Sequence, residues 1–144
     1  TFDGKGGRDD LSYMNVKNSN FKKGIDALNQ AIKFEKKDKL KKASKRYNDA
    51  INFFLLARKE NINNIEILNL LGFSYEKVND FFMSEIYYKE GLSIDPDNNQ
   101  INQKLGELYL NTKRISLAKE RLKVLSTCSC EEYSNLKNNI ASSK

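Results

Sequence analysis

Apolar and small residues recur through most of this chain at intervals of three and four, the signature of helices buried on one side. Leu68, Leu71, Gly72 and Tyr75 stand at i, i+3, i+4 and i+7 and so share one helical face. A second stripe follows in Ser84, Tyr88, Gly91 and Leu92, with the turn residues Asn79-Asp80 between the two. Asp95-Pro96-Asp97 stops the second helix and starts the next. Gly72 sits mid-face, where glycine costs about 1 kcal/mol relative to alanine. A helix tolerates that where another helix must approach closely, and Tyr88 fills the space beside it. The predicted unit is a helical hairpin with one face left to bury on a neighbour.

The hairpin repeats. Leu71, Gly72, Tyr75, Ser84 and Tyr88 are followed thirty-four residues later by Leu105, Gly106, Tyr109, Ala118 and Leu122, a period that belongs to helical repeat proteins. Extended backwards, with Asp38 at the turn, the pattern places Ala31 at the glycine position, Phe34 and Tyr47 at the aromatic ones and Ala43 and Ala50 at the small ones. This first repeat covers 24–57, and seven further residues, 58–64, precede the second. Seven residues are close to two turns, so the stripe returns to the same face, and Ala50, Phe54 and Ala57 restate Ala43, Tyr47 and Ala50. The spacing therefore predicts a long second helix, about Lys39 to Lys59. The second repeat is 65–98 and the third 99–132, weaker in its second helix, where Leu122 and Leu125 stand at the aromatic and small positions and no Pro closes it. Tyr133, Leu136, Lys137 and Ile140, with polar residues elsewhere, predict a short solvating cap helix over 131–143. Residues 1–20 show no helical period and are expected to be a flexible leader, with Tyr13, Met14 and Val16 packing on the first hairpin.

Leu71, Gly72, Tyr75, Ser84, Tyr88, Gly91 and Pro96 resemble the tetratricopeptide repeat family, whose pattern places Leu, Gly, Tyr, Ala, an aromatic, Ala and Pro there. The resemblance implies an all-α, right-handed α-solenoid of three hairpins with a C-terminal capping helix, one domain over 21–144. It also implies a non-enzymatic scaffold that binds a protein or peptide segment in its concave groove. By the family's groove positions, the first repeat supplies Ile25, Leu28, Ile32 and Glu35. The second supplies Glu66, Asn69, Phe73, Glu76 and Lys77, and the third Gln100, Gln103, Glu107, Leu110 and Asn111. Asn69 and Gln103 offer both donor and acceptor to a peptide backbone, and Phe73 an apolar contact. Burial of Ile25, Leu28 and Ile32 under the leader or the long helix is the alternative to their lining the groove. Some family members clamp a terminal carboxylate with Lys and Asn on their first helices; Leu28 and Ile32 occupy those positions here. With Glu66, Glu76 and Glu107 nearby, a neutral or basic peptide is expected.

Composition narrows the function further. With 39% apolar and 31% charged residues and a single Pro among 144, the chain reads as globular and helical. No apolar run reaches the roughly 18 residues that would cross a membrane. It contains no His, which removes the usual general base and the commonest imidazole ligand. No nucleophile, base and orienting group fall together, so neither enzymatic activity nor a cofactor is expected. The chain starts at Thr rather than Met, from which trimming is expected, either of a signal peptide after export or at an expression boundary.

The net charge of +6 is concentrated in KFEKKDKLKKASKR, residues 33–46, with eight basic and two acidic residues; the rest balances at seventeen of each. Lys36, Lys37, Lys39, Lys41, Lys42, Lys45 and Arg46 form a basic end open to nucleic acid, an anionic membrane surface or an acidic partner. Its only aromatics, Phe34 and Tyr47, belong to the repeat, which argues against nucleic acid, and solvation of an exposed face is the plain alternative.

Cys128 and Cys130 are the only thiols. One intervening residue allows a disulfide only in a small ring. Closed zinc coordination lacks ligands, and two thiolates leave Cu(I) open. Leu105 to Tyr109, Ala118, Leu125 and the Cys pair leading into Glu131-Glu132-Tyr133 and Leu136-Lys137 are similar to the ends of small exported tetratricopeptide proteins of alphaproteobacteria, which usually space their Cys further apart. That likeness implies a bacterial, periplasmic protein, a cytoplasmic one being the alternative. Two other functions stand beside the groove: thiol redox or Cu(I) handling by Cys128 and Cys130, and self-association into a homo-oligomer.

Overall fold

The computed structural model describes residues 19–143, so Tyr13, Met14 and Val16 lie outside the described residues. Seven helices follow in order: α1 (Asn20–Lys36), α2 (Leu40–Glu60), α3 (Ile65–Lys77), α4 (Phe81–Ile94), α5 (Asn99–Asn111), α6 (Ile115–Leu125) and α7 (Glu131–Ser142). Helices α1 and α2, α3 and α4, and α5 and α6 pair as hairpins; each hairpin packs on the next, and α7 packs on both α5 and α6. The fold is an all-α solenoid of three hairpins with a C-terminal cap.

Each hairpin turns by the same device. Asp38, Asn79 and Lys113 adopt the left-handed conformation, with φ of 58°, 63° and 62°. The following amide reaches back five residues in each turn: Lys39 to the Phe34 carbonyl at 2.9 Å, Asp80 to Tyr75 at 2.9 Å and Arg114 to Tyr109 at 2.7 Å. This is the Schellman closure of a helix C-terminus, and the carbonyl it uses belongs each time to the first aromatic of the repeat. Side-chain caps open α1, α3, α4 and α5, where Ser19, Asn64, Asp80 and Asn98 accept from the amide three residues on.

Small residues set how closely helices approach. A Cβ added to Gly72 would collide with the Tyr88 ring, and one added to Gly24 with the Phe54 ring. Gly24 and Phe54 stand seven residues outside Ala31 and Tyr47, so the first hairpin is lengthened on both arms. The structure thereby corrects the leader boundary: α1 opens at Asn20, inside the stretch expected to be irregular. Ser19 caps it by accepting from Lys22 N at 3.0 Å, and Phe21 is buried beside Phe54, ring centroids 6.3 Å apart. Helix α2 spans twenty-one residues, one residue later at each end than the periodicity places it.

Candidate functional site

The first helices of the hairpins, with α7, line one face, joined by a contact at each step. Lys77 on α3 pairs with Glu35 on α1 at 3.1 Å; Lys104 on α5 stands 5.2 Å from the centre of the Phe73 ring on α3; Asn139 on α7 donates to Glu107 on α5 at 2.8 Å. Three adjoining clefts make up the groove. The central one, about 410 Å³, is lined by Glu35, Phe73, Glu76, Lys77, Lys104 and Glu107, among others. A cleft of about 380 Å³ extends it over Ile32 and Tyr47, and one of about 540 Å³ over Leu110, Asn111 and Asn139.

Phe73 forms the apolar floor, half-buried, with Lys77 also near its ring at 5.5 Å from the centre. Cations over a ring face are attracted by its quadrupole, so both lysines are drawn to the Phe73 ring. The carboxylates serve the fold as well as the groove. The buried Tyr47 hydroxyl donates to Glu35 Oε1 at 2.5 Å and the buried Tyr88 hydroxyl to Glu76 Oε1 at 3.3 Å, because a tyrosine in a core needs an acceptor at its polar tip. The two acids stand at the same repeat position and shift in opposite directions. The Tyr47 hydrogen bond, with help from Lys77 and against burial, holds Glu35 below the ordinary carboxylate range. Burial raises Glu76, against the pull of Lys104 and the Tyr88 hydrogen bond. Both phenols are raised, by burial first and by their carboxylates second.

The structure moves part of the expected site. Ile25 and Leu28 belong to the core, at 2% and 0% exposure, in one cluster with Phe54, Ile67 and Leu71; only Ile32 and Glu35 of that set reach the groove. Asn69 and Gln103 line none of the three clefts. Asn69 instead donates to Gln100 at 3.3 Å and Gln103 to Glu107 at 2.8 Å, while Asn69 Oδ1 is buried and has no hydrogen-bond partner among the described residues. Glu66 is half-buried in the first turn of α3, where an acid favours the helix macrodipole. Phe73, Glu76, Glu107 and Leu110 are brought together. The sequence reading missed Lys104 and Asn139.

At the basic end, Lys36, Lys37, Lys39, Lys41, Lys42 and Lys45 are exposed and Arg46 is half-buried. Lys45 and Arg46 pair with Asp49, at 3.7 and 2.9 Å, and Lys42 lies 5.7 Å from the centre of the Phe34 ring. Cys128 and Cys130 are paired as a disulfide with Cα atoms 5.1 Å apart. Cys130 is the N-cap of α7, and Cys128 packs against the core cluster containing Leu125 and Leu136. Among the described residues no group of three or more His, Cys, Asp or Glu is assembled that would hold a metal ion.

The tetratricopeptide repeat family model matches residues 65–98. No curated protein matches the sequence. Among solved structures, the first tetratricopeptide domain of Spaghetti (RPAP3), bound to the HSP90 peptide SRMEEVD, superposes with a TM-score of 0.62 at 15% identity, covering 84% of this chain and 92% of that one. The type III secretion chaperone SycD of Yersinia enterocolitica, in complex with a peptide of the translocator YopD, gives 0.61 at 15% identity, covering 82% and 86%. The Arabidopsis OM64 tetratricopeptide domain gives 0.63 at 16% identity, covering 86% and 98%. Residues 65–98 are therefore similar to a tetratricopeptide repeat, and the described chain has the fold of the tetratricopeptide solenoids.

Proposed function

We propose that this protein is a non-enzymatic scaffold that captures an extended or helical segment of a partner protein in the groove centred on Phe73. The observation that carries the reading is the central cleft itself: an aromatic floor with Lys77 and Lys104 near its ring, lined also by Glu35, Glu76 and Glu107 and continuing to Leu110. Such a site supplies apolar contact at its base and charge-assisted hydrogen bonds at its rim. Two proteins of similar fold carry bound peptides, which supports peptide capture as the use of this face. The acids Glu35, Glu76 and Glu107 outnumber the two lysines in the central cleft, and on α1 the groove holds apolar Ile32 rather than a cation. The preferred segment is therefore neutral or basic.

The test is a salt series with an acidic and a basic peptide of equal length, repeated on Phe73→Ala, Leu110→Ala. Tighter binding of the basic peptide, lost in the double variant, is expected; tighter binding of an acidic C-terminal peptide would sink this assignment.

A second reading rests on the paired Cys128 and Cys130. Disulfides persist in oxidising compartments, so the pairing supports an exported protein and a thiol-exchange role. Alkylation followed by mass spectrometry on native material is expected to find the pair oxidised, and a fully reduced pair removes the reading.

A further inference from the structure

The hairpin turns carry a surface the groove does not use. Successive hairpins bring Asp38, Asn79 and Lys113 to one edge of the solenoid, and Arg114, the N-cap of α6, pairs there with Glu85 of α4 at 2.8 Å. One large apolar side chain stands exposed at the opening of each second helix: Leu40 at 60%, Phe82 at 74% and Ile115 at 39%. Around Leu40, Lys36, Lys37, Lys39 and Lys41 are exposed and make no ion pair among the described residues, and Lys113 is exposed on the third turn. Of the two acids in the basic run, Glu35 is turned into the groove and held by Tyr47 and Lys77. Helix α2 also opens without an acid in its first turn and without a side-chain cap, so its lysines stand against the positive end of the helix dipole, an arrangement that costs stability.

We infer that this turn edge docks on an anionic lipid bilayer, with Leu40 and Phe82 entering below the headgroups and the lysines held at the level of the phosphates. Leu40, set among Lys36, Lys37, Lys39 and Lys41, matches that boundary, because lysine stems lie along apolar surface while their ammonium groups stay wet; Phe82 adds exposed apolar area on the next turn. Juxtaposed lysines are attracted by an anionic leaflet within a Debye length. The opposite edge also exposes Ile62 and Ile94, but beside Glu60, Asp95 and Asp97, with Lys59 as the exposed cation next to Ile62; the turn edge, with Asp38 and Asp80 among its residues, is the one where exposed lysines cluster, at 36, 37, 39 and 41 around Leu40. A nucleic acid fits less well. Tyr47 is buried and Phe34 lies beside Lys42, so the basic run presents no open stacking face, and Arg46, the run's only guanidinium, is engaged with Asp49. A protein hot spot is normally a packed pocket, whereas this edge projects. No helix among the described residues is long and apolar enough to cross a membrane. Docking by the turn edge leaves the groove face of α3 and α5 open.

Co-sedimentation with vesicles of phosphatidylcholine alone, and of phosphatidylcholine mixed with phosphatidylglycerol, tests this. Binding is expected only to the anionic vesicles and weakens as salt is raised. Lys37→Glu with Lys41→Glu is expected to reduce it about tenfold or more, and Leu40→Ala with Phe82→Ala by about tenfold. All four side chains are exposed, so circular dichroism should show both variants folded. The chain has no Trp, and the indole emission of a Leu40→Trp variant is expected to shift to the blue on anionic vesicles. Unchanged binding of either double variant, absence of the shift, or binding to duplex DNA under conditions where vesicles are ignored would overturn the inference.

Discussion

Gly72 and Gly106 occupy the same position of successive repeats, thirty-four residues apart, and are approached by different partners. Tyr88, from the second helix of the same hairpin, covers Gly72. Leu136, from the cap helix, covers Gly106, where an added Cβ would lie 2.6 Å from a Leu136 methyl. Leu122, which stands where Tyr88 does, is only half-buried. One slot is closed from within its hairpin and the other from the next element along. The second repeat is self-sufficient in this respect and the third is finished by α7, which makes the cap a structural part rather than a solvating one.

Truncating the fillers breaks the comparison most sharply. Tyr88→Ala is expected to cost about 4 kcal/mol, Leu136→Ala about 3 and Leu122→Ala about 1, from the usual costs of emptying buried and half-buried sites. Urea denaturation measures all three; equal losses at 122 and 136 would mean that α7 does not fill the slot. Adding a methyl sharpens the same point. Gly72→Ala meets a fully buried ring and should destabilise by about 2 kcal/mol net of its helix-propensity gain. At Gly106 the obstacle is the far end of a flexible leucine, so Gly106→Ala should fall within about 0.5 kcal/mol of neutral, propensity offsetting crowding.

A second difference lies one turn earlier. Leu68 is fully buried in the second repeat, and the residue thirty-four positions on is Asn102, equally buried. Its amide donates to the carbonyls of Pro96 and Asn98, at 3.0 and 2.9 Å, and its oxygen accepts from Arg121 at 3.0 Å. A buried amide is tolerated because it is satisfied on both sides, and it ties α6 to α5 where the hydrophobic contact is thin: of α6, only Ala118 and Leu125 are buried. Asn102→Ala takes the amide from the Pro96 carbonyl and the acceptor from the Arg121 guanidinium, while the Asn98 carbonyl keeps the backbone N–H of residue 102 at 3.0 Å, for a cost of about 1.5 kcal/mol. Arg121→Ala should cost less, and the double-mutant cycle isolates the coupling between them.

Much of this architecture can be read from the residues alone. The thirty-four-residue period, the turns at Asp38 and Asn79, and the heptad that lengthens α2 all follow from spacing. The same heptad also carried a signal for the earlier start of α1: Phe21, Gly24, Ile25 and Leu28 stand at i, i+3, i+4 and i+7. Groove positions transferred less well to that hairpin, because with both arms lengthened Ile25 and Leu28 join the core around Phe54. Lys104 escaped notice because a repeat template counts positions along one helix and is blind to a side chain reaching across to Phe73. The role of Leu136 was hidden for a similar reason: its spacing announces a helix, but not the slot that helix fills. One pairing was visible and unread. Glu35 with Tyr47 and Glu76 with Tyr88 become Leu110 with Leu122 in the third repeat, acid and phenol being replaced together.

Those two acid–phenol pairs give the smallest and most discriminating test. Glu35 has its pKa lowered in the folded chain, so its contribution to stability is present above the unfolded carboxylate pKa and is lost as pH falls through the folded value. Glu76 has its pKa raised, so its contribution is present below the unfolded pKa and is lost as pH rises through the folded one. Glu35→Gln should therefore destabilise at neutral pH, an effect that fades as pH falls through the carboxylate range. Glu76→Gln should be neutral or stabilising at neutral pH and lose that advantage under acid. The Glu35 side chain is 40% exposed, so solvent screening keeps its effect below about 1 kcal/mol. Urea midpoints for both variants and the parent, at neutral and at acidic pH, read the sign directly. If the two variants shift in the same direction, burial does not separate the two positions, and the central cleft around Glu76 is wetter than its geometry implies.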